Sequence, residues 1–391
     1  MIDFEPSAIQ RSRQEAAREF TTQHVLPVAA AIDREGEFPW DLVEKGVRAG
    51  FTTMLIPTAY GGGGYDHVSA GLVLEELGAG CAGVATIFGA SILGVGPIVL
   101  LGTEIQKQRL LRRITRDIGG QCLCAFAVTE ATAGTAAASG HPKFGVQLRA
   151  RREGESYRLT GRKCFISNGS VASLFSVLAR TDPMKAALGG LSFFVVDAHH
   201  GVRIGRIEEK MGQRACPVAE LLLDEVEISS ENLLGSEGLG AIGLVQTLSF
   251  SLPLVAAISV GLARTATQYA LSYARKNSLS NDQGVAMRLF DMAMLVDTAR
   301  DLVWRALWQN DQRTDQTTGK LRGAPNLKLA TMAKVFASDA CVRVVDGAMQ
   351  VVGPEALTGA HPLGKLVRDA KLMQIFEGTN QIHRITAERL L

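Results

Sequence analysis

The chain has 391 residues, 47% hydrophobic and 20% charged, with 41 glycines but only 12 prolines and 41 basic against 39 acidic side chains. That composition excludes a disordered chain, a collagen-like fibre and a disulfide-stapled miniprotein, and a formal net charge of +2 argues against nucleic acid as the main partner. At roughly 150 residues per domain the length predicts two or three domains.

Cys81, Cys122, Cys124, Cys164, Cys216 and Cys341 lie scattered in apolar surroundings, without paired spacing or histidines that would complete a metal site. They read as buried thiols of a reducing compartment, with no metal expected. The first ten residues lack a basic segment followed by an apolar run, so the expectation is a cytoplasmic protein without a signal or transit peptide.

In chain order, apolar residues at helical spacing (Ile9, Ala16, Phe20, Val25, Val28, Ala29) predict one long amphipathic helix over 6–33, ending at the Gly36 and Pro39 breaks. Helices continue over 40–118, divided by a glycine-rich turn at 61–64. No charged residue occurs between Glu76 and Glu104 or between Glu237 and Arg264. Each stretch exceeds the roughly 20 residues that cross a bilayer. Their glycines, prolines and polar residues, without basic flanks or an aromatic belt, predict interior helices of a large helical protein and no membrane insertion.

From Cys122 the texture changes to short runs at 156–160, 174–179, 191–196 and 220–228 between Gly, Asp and Asn turns, which predict strands. Helical spacing returns over 242–277, 284–309, 326–352 and from Ile382 onwards. The predicted fold class is α+β, mainly α: an N-terminal helical domain (1–120), a central β-barrel-like domain (121–235) and a C-terminal four-helix bundle (236–391).

Five strings within this order carry further information: AFAVTEATAGT (125–135), KCFISNGS (163–170), MGQRACPVAELLLDEVEI (211–228), ENLLGSEGLG (231–240) and RDAKLMQIFEGTNQIHR (368–384). Together, in register over essentially the whole chain, they resemble the signature segments of the acyl-CoA dehydrogenase family. The resemblance implies FAD bound non-covalently between the β domain and the C-terminal bundle, in a homodimer or a homotetramer built from dimers. It also implies α,β-dehydrogenation of an acyl thioester, with an electron-transferring flavoprotein or another acceptor taking the electrons.

By that register Glu377, in the apolar context IFEG, is the catalytic base, and Gly378 lets the backbone approach the substrate. An α C–H beside a thioester is a very weak acid, so its removal needs a carboxylate in a dry pocket whose desolvation raises its pKa. Phe126, Val128 and Thr129 are implied to contact the isoalloxazine, Phe165 to cover it and Ser167 to hydrogen-bond it. Ordinary core packing is the alternative for Phe165, and a structural role is expected for Glu130. Thr379 and Gln381 match cofactor-contacting positions, as does Gln283 at the start of the following bundle helix. Gln350 and Gly353 match the segment that reaches the adenosine end of the partner subunit's FAD.

The sequence departs from the family pattern in three places. The connection before Gln283 is several residues short and lacks the Arg and Phe-Gly element that reaches the FAD pyrophosphate, leaving Arg275 or Lys276 as substitutes. Ser249 and Leu252 stand where members acting on coenzyme A carry Asp and Arg; this weakens the case for free CoA and favours an acyl carrier protein, with the basic run 109–116 as a docking patch. Gly134-Thr135-Ala136 replaces Gly-Ser-Asp, so the Thr135 hydroxyl would serve the substrate or flavin. A flavin-dependent monooxygenase on the same fold is the alternative function; Glu377 in its usual place argues against it.

Overall fold

The structure is a computed structural model that describes residues 5–131, 145–359, 361–388 and 390. Three of its N-terminal helices begin where polar side chains satisfy the first free backbone N–H groups. Ser7 opens α1 (Ala8–Phe20) and Thr103 opens α6 (Glu104–Arg116), each through a capping box, while Asp66 caps α4 (His67–Gly80). The single helix expected over 6–33 is broken. After α1 a π-helical turn spans Thr21–Val25, and α2 (Ala29–Glu35) starts afresh until Gly36, in the left-handed conformation, ends it. Pro27 explains the break, because its ring cannot continue the preceding helix.

α3 (Trp40–Arg48) and α5 (Ala82–Leu101) complete this region. Between α3 and α4, Gly61 and Gly64 take positive φ as the predicted glycine-rich turn requires.

The central region is one sheet of β1 (Cys124–Ala127), β2 (Arg149–Glu153), β3 (Ser156–Ser167), β4 (Leu174–Arg180), β5 (Leu191–Asp197), β6 (Arg203–Ile207), β7 (Val218–Ser229) and β8 (Leu233–Leu234), with one irregular turn, α7 (Ala187–Gly190). The strand order is β6-β7-β3-β2-β4-β5-β8, with β1 parallel to β4. The four predicted strands are present as the long ones. β4 and β5 are buried along their whole length, with Leu174 and Phe193 in one core cluster and Phe175 and Phe194 in the cluster on the opposite face. Burial on both faces accounts for their continuous apolar runs.

The C-terminal region comprises α8 (Gly240–Lys276), α9 (Gln283–Gln312), α10 (Leu327–Val352), α11 (Leu363–Met373) and α12 (Asn380–Glu388). It shares one hydrophobic core with the N-terminal helices: Leu72, Leu77 and Phe88 pack in the same cluster as Ile258, Leu307 and Val344. The two uncharged stretches are α5 and α8. Both are long and apolar enough to cross a membrane, yet 67% and 72% of their apolar windows lie buried inside the protein. The charges where α4 packs against α1, α8 and α9 are paired: Glu75 meets Arg264 and Arg300, and Glu76 meets Arg18 and Arg264. All six cysteines are free thiols, buried except for the half-buried Cys164.

Candidate active site

Glu377 sits in the turn between α11 and α12. Its φ of 53° and that of Gly378, 93°, place two consecutive residues in the left-handed region. For a residue with a side chain this costs on the order of 1 kcal/mol or more, so the surroundings must hold it. They do so through backbone carbonyls. The Lys334 ammonium, on α10, donates to the Gly378 carbonyl and to Asn380 Oδ1, both at 2.8 Å, and the His383 Nε2 is 2.9 Å from the Glu377 carbonyl. A Cβ on Gly378 would stand 2.9 Å from His383 Nε2, so glycine is required there for both space and conformation.

The electrostatics follow from this packing. Burial pushes the Glu377 carboxyl up to about 7, against the opposing effects of a hydrogen bond from Ser251 and the positive charge of Lys334. Burial likewise lowers Lys334 to about 8 and His383 to about 4, so the histidine is neutral near pH 7. The Ser251 hydroxyl, on α8, donates to Glu377 Oε2 at 3.1 Å. A carboxyl that ionises near neutrality and is held in one orientation is suited to proton transfer.

Ser251 also lines a cavity walled by Ile92, Val95 and Val99 of α5, Phe250 and Leu254 of α8, His67 at the start of α4, and Thr314, Asp315, Gln316 and Gly319. Both long wall helices carry an internal proline, Pro97 and Pro253. Pro253 has no N–H for the Ser249 carbonyl four residues earlier, and Asn310 Nδ2 occupies that carbonyl instead, at 3.4 Å.

The β domain contributes a second group of residues beside α5. Gly94 lets α5 and β1 touch, since a Cβ there would be 2.7 Å from the Ala125 nitrogen. Ser91 Oγ accepts from the Cys124 N–H, and Asn168 Nδ2 donates to the Ile87 carbonyl at 2.8 Å. The Cys164 N–H donates to the Thr129 carbonyl at 2.9 Å, joining the strings around 125–131 and 163–170. Phe126 stacks on Phe193, and the buried Val128 gives its carbonyl to Lys163. Lys163 is fully buried and pairs with Glu130, which also accepts the N–H groups of Gln147 and Leu148. Glu130 therefore has the structural role expected of it.

Phe165 is not core packing. It is 58% exposed and holds a φ of 55°. An aromatic ring kept in solvent by a strained backbone fits a residue that covers a planar ligand. The Thr129 hydroxyl has no hydrogen-bond partner among the described residues, which leaves it free for a ligand as well. Ser167, half-buried at the end of β3, lies on the same strand. These residues fit a flavin ring.

Thr379 Oγ1 accepts the Ile382 N–H at 3.3 Å beside the Glu377 turn, and Gln381 is exposed on α12. Gln283, Gln350 and Gly353 are not brought to this place. Gln350 lies in the last turn of α10, sixteen residues from Lys334 and so about 24 Å along the helix. Gly353 has a φ of 73° and open space where a Cβ would stand, and Gln283 is the exposed first residue of α9. Arg288, which the sequence reading missed, bonds Gln350 Oε1 there. It lies one and a half turns into α9, beyond the connection where a cation was sought. Arg275 and Lys276 are exposed at the end of α8.

Two expectations change. Ser249 and Leu252 are fully buried, Ser249 Oγ bonds the Val245 carbonyl at 2.7 Å, and neither lines the cavity. They point into helix packing, because the cavity face of α8 falls on Thr247, Phe250, Ser251 and Leu254. In the basic run, Arg109 pairs with Glu231 and Arg113 with Asp197, tying α6 to the β domain. Thr135 lies outside the described residues.

Family models match the chain in order: the acyl-CoA dehydrogenase N-terminal domain over residues 7–117, the middle domain over 125–226 and the C-terminal domain over 239–391. The chain is 34% identical over 387 residues to the cyclohex-1-ene-1-carbonyl-CoA dehydrogenase of Syntrophus aciditrophicus (strain SB), an alignment covering 98% of this chain and 89% of that protein. It matches the solved structure of butyryl-CoA dehydrogenase from Megasphaera elsdenii with a TM-score of 0.91 and 31% identity, over 100% of this chain and 99% of that one. A chain in a solved structure described as the electron transferring flavoprotein of Acidaminococcus fermentans matches with a TM-score of 0.91 and 33% identity, over 100% and 99%.

Proposed function

This chain belongs to the acyl-CoA dehydrogenase family, an oxidoreductase of acyl-CoA substrates that uses a flavin, and we propose that it desaturates the α,β bond of an acyl thioester with Glu377 as the base. The observation that carries this reading is the Glu377 carboxyl, raised to about 7 and hydrogen-bonded to a residue of the cavity wall.

The acyl group enters the cavity between α5 and α8, whose apolar side chains exclude water from the α-carbon. Glu377, oriented by Ser251, takes the α-proton and retains it as a neutral acid, which its raised pKa favours at neutral pH. The buried Lys334 offsets part of the cost of the carboxylate before the proton arrives. FAD, when bound, supplies the acceptor for the hydride that leaves the β-carbon. Phe126, Val128, Thr129, Phe165, Ser167, Thr379 and Gln381 would hold its ring. Gln283, Arg288, Gln350 and Gly353 would meet the nucleotide end of a partner subunit's FAD, a reading supported by their separation from Glu377 along α10 and one that makes the enzyme a homodimer or homotetramer. An electron-transferring flavoprotein is the proposed acceptor, in keeping with the likeness to a chain of the Acidaminococcus fermentans electron transferring flavoprotein structure.

A second reading of the thioester handle, a phosphopantetheine carried on an acyl carrier protein, rests on the family register at Ser249 and Leu252 alone, since both side chains pack away from the cavity. Mixing the yellow protein anaerobically with one acyl chain, presented as CoA thioester and as carrier-protein thioester, tests both readings. Bleaching by either supports desaturation, faster bleaching by the carrier form supports the second reading, and faster bleaching by CoA removes it.

A further inference from the structure

The wall of the acyl cavity carries a histidine whose bonding is incomplete. His67 opens α4 with its side chain only 8% exposed, and its ring stacks on Phe250 with centroids 5.2 Å apart. Asp311, near the end of α9, takes the His67 backbone N–H, the Val68 N–H at 3.2 Å and His67 Nδ1 at 2.9 Å. Gln316 Nε2 adds a fourth contact to the same carboxylate at 3.3 Å. Among the described residues nothing bonds Nε2, although the ring lines the cavity.

An ionised carboxylate only accepts hydrogen bonds, so Nδ1 carries the hydrogen, and a ring with that single hydrogen presents Nε2 as an acceptor. A buried acceptor without a donor is costly, and an aliphatic chain in the cavity would seal it off from water without satisfying it. The fixed tautomer and the stacked ring leave the nitrogen little freedom to turn elsewhere.

We propose that His67 is a specificity residue and that the substrate's acyl group carries a hydrogen-bond donor, a hydroxyl or an N–H, which Nε2 accepts. The proposal rests on the acyl-thioester reading above and narrows its substrate class from plain hydrocarbon chains to donor-substituted ones. Asp311 is the positioning residue that sets the tautomer.

The test uses the holoenzyme and the CoA thioesters of butanoic, hexanoic and octanoic acids, each with and without a hydroxyl on its terminal carbon, so that the donor is offered at three depths. Anaerobic flavin reduction gives kcat/KM, and calorimetry gives the Kd of the corresponding enoyl products, a binding readout independent of turnover. The expected result is that one hydroxylated chain is preferred over its plain counterpart by at least about tenfold in both measures. His67→Leu should abolish that ratio, and His67→Gln, which keeps an acceptor oxygen, should retain part of it. Reduction by plain chains with no hydroxylated chain preferred, or a ratio unchanged in His67→Leu, overturns this proposal while leaving the dehydrogenase reading intact. Failure of every thioester to reduce the flavin, whether presented on CoA or on an acyl carrier protein, overturns both.

Discussion

The Ser251 hydroxyl on α8 donates to Oε2 of Glu377 across 3.1 Å, joining residues 126 positions apart in the chain. Through this bond the helix that walls the cavity also orients the base and favours its ionised form. In Ser251→Ala the carboxylate loses that donor, so its pKa should rise further. The ionisation seen in the pH dependence of anaerobic flavin reduction should move up by about one pH unit. An unchanged or lowered midpoint would show that the bond does not act on the base.

Lys334 is fully buried, and its ammonium holds the turn by the Gly378 carbonyl and Asn380. Replacing it with Met removes a positive charge beside Glu377 and strands two acceptors. The same pH profile should shift upward, and urea unfolding should show a loss of roughly 2–4 kcal/mol. A downward shift of the profile would contradict the assigned role of its charge.

The raised pKa of Glu377 also makes a prediction about stability. Its folded value of about 7 lies above the ordinary 4.5, so the fold penalises the ionised form. Below pH 4.5 the group is protonated whether folded or not and costs nothing; the cost grows with pH and is complete above pH 7. Glu377→Gln should therefore gain on the wild type by about 2 kcal/mol between pH 5 and pH 8. Unfolding curves of the two proteins at both pH values check this, and a gain at pH 5 that vanishes at pH 8 would reverse the sign.

Phe165 separates a ligand-covering role from a packing role. Because it is exposed and its φ is positive, Phe165→Gly should leave the flavin-free protein as stable as the wild type or slightly more so, while weakening flavin binding roughly tenfold or more. Thermal unfolding of the apoprotein and flavin titration read the two effects separately. A clear loss of apoprotein stability with unchanged flavin affinity would restore the packing role.

The sequence shows much of the architecture because the apolar period changes twice, at Cys122 and again near Gly240. β4 and β5 were visible as apolar runs because they are buried on both faces. β2, reading RARRE, and β6, reading RIGRI, were not, because most of their side chains sit in solvent and leave no apolar pattern. The break in the first helix was missed because helical spacing persists on both sides of Pro27.

Glu377 was legible only through the register of its neighbours, since an isolated carboxylate after a helix is usually solvated. Its partners were not legible at all. Ser251 and Lys334 meet the 377–380 turn through helix packing across 126 and 44 or more residues, which no local pattern encodes. The same holds for Arg288 beside Gln350 and for His67 beside Asp311.

The most direct test of the central claim is anaerobic flavin reduction in Glu377→Gln with a thioester that bleaches the wild type. Glutamine keeps the size and the polar contacts of the side chain but cannot take a proton at neutral pH. The variant should still bind flavin and thioester, with reduction slowed by at least about a thousandfold. Bleaching at a rate within tenfold of the wild type would contradict the assignment of Glu377 as the base.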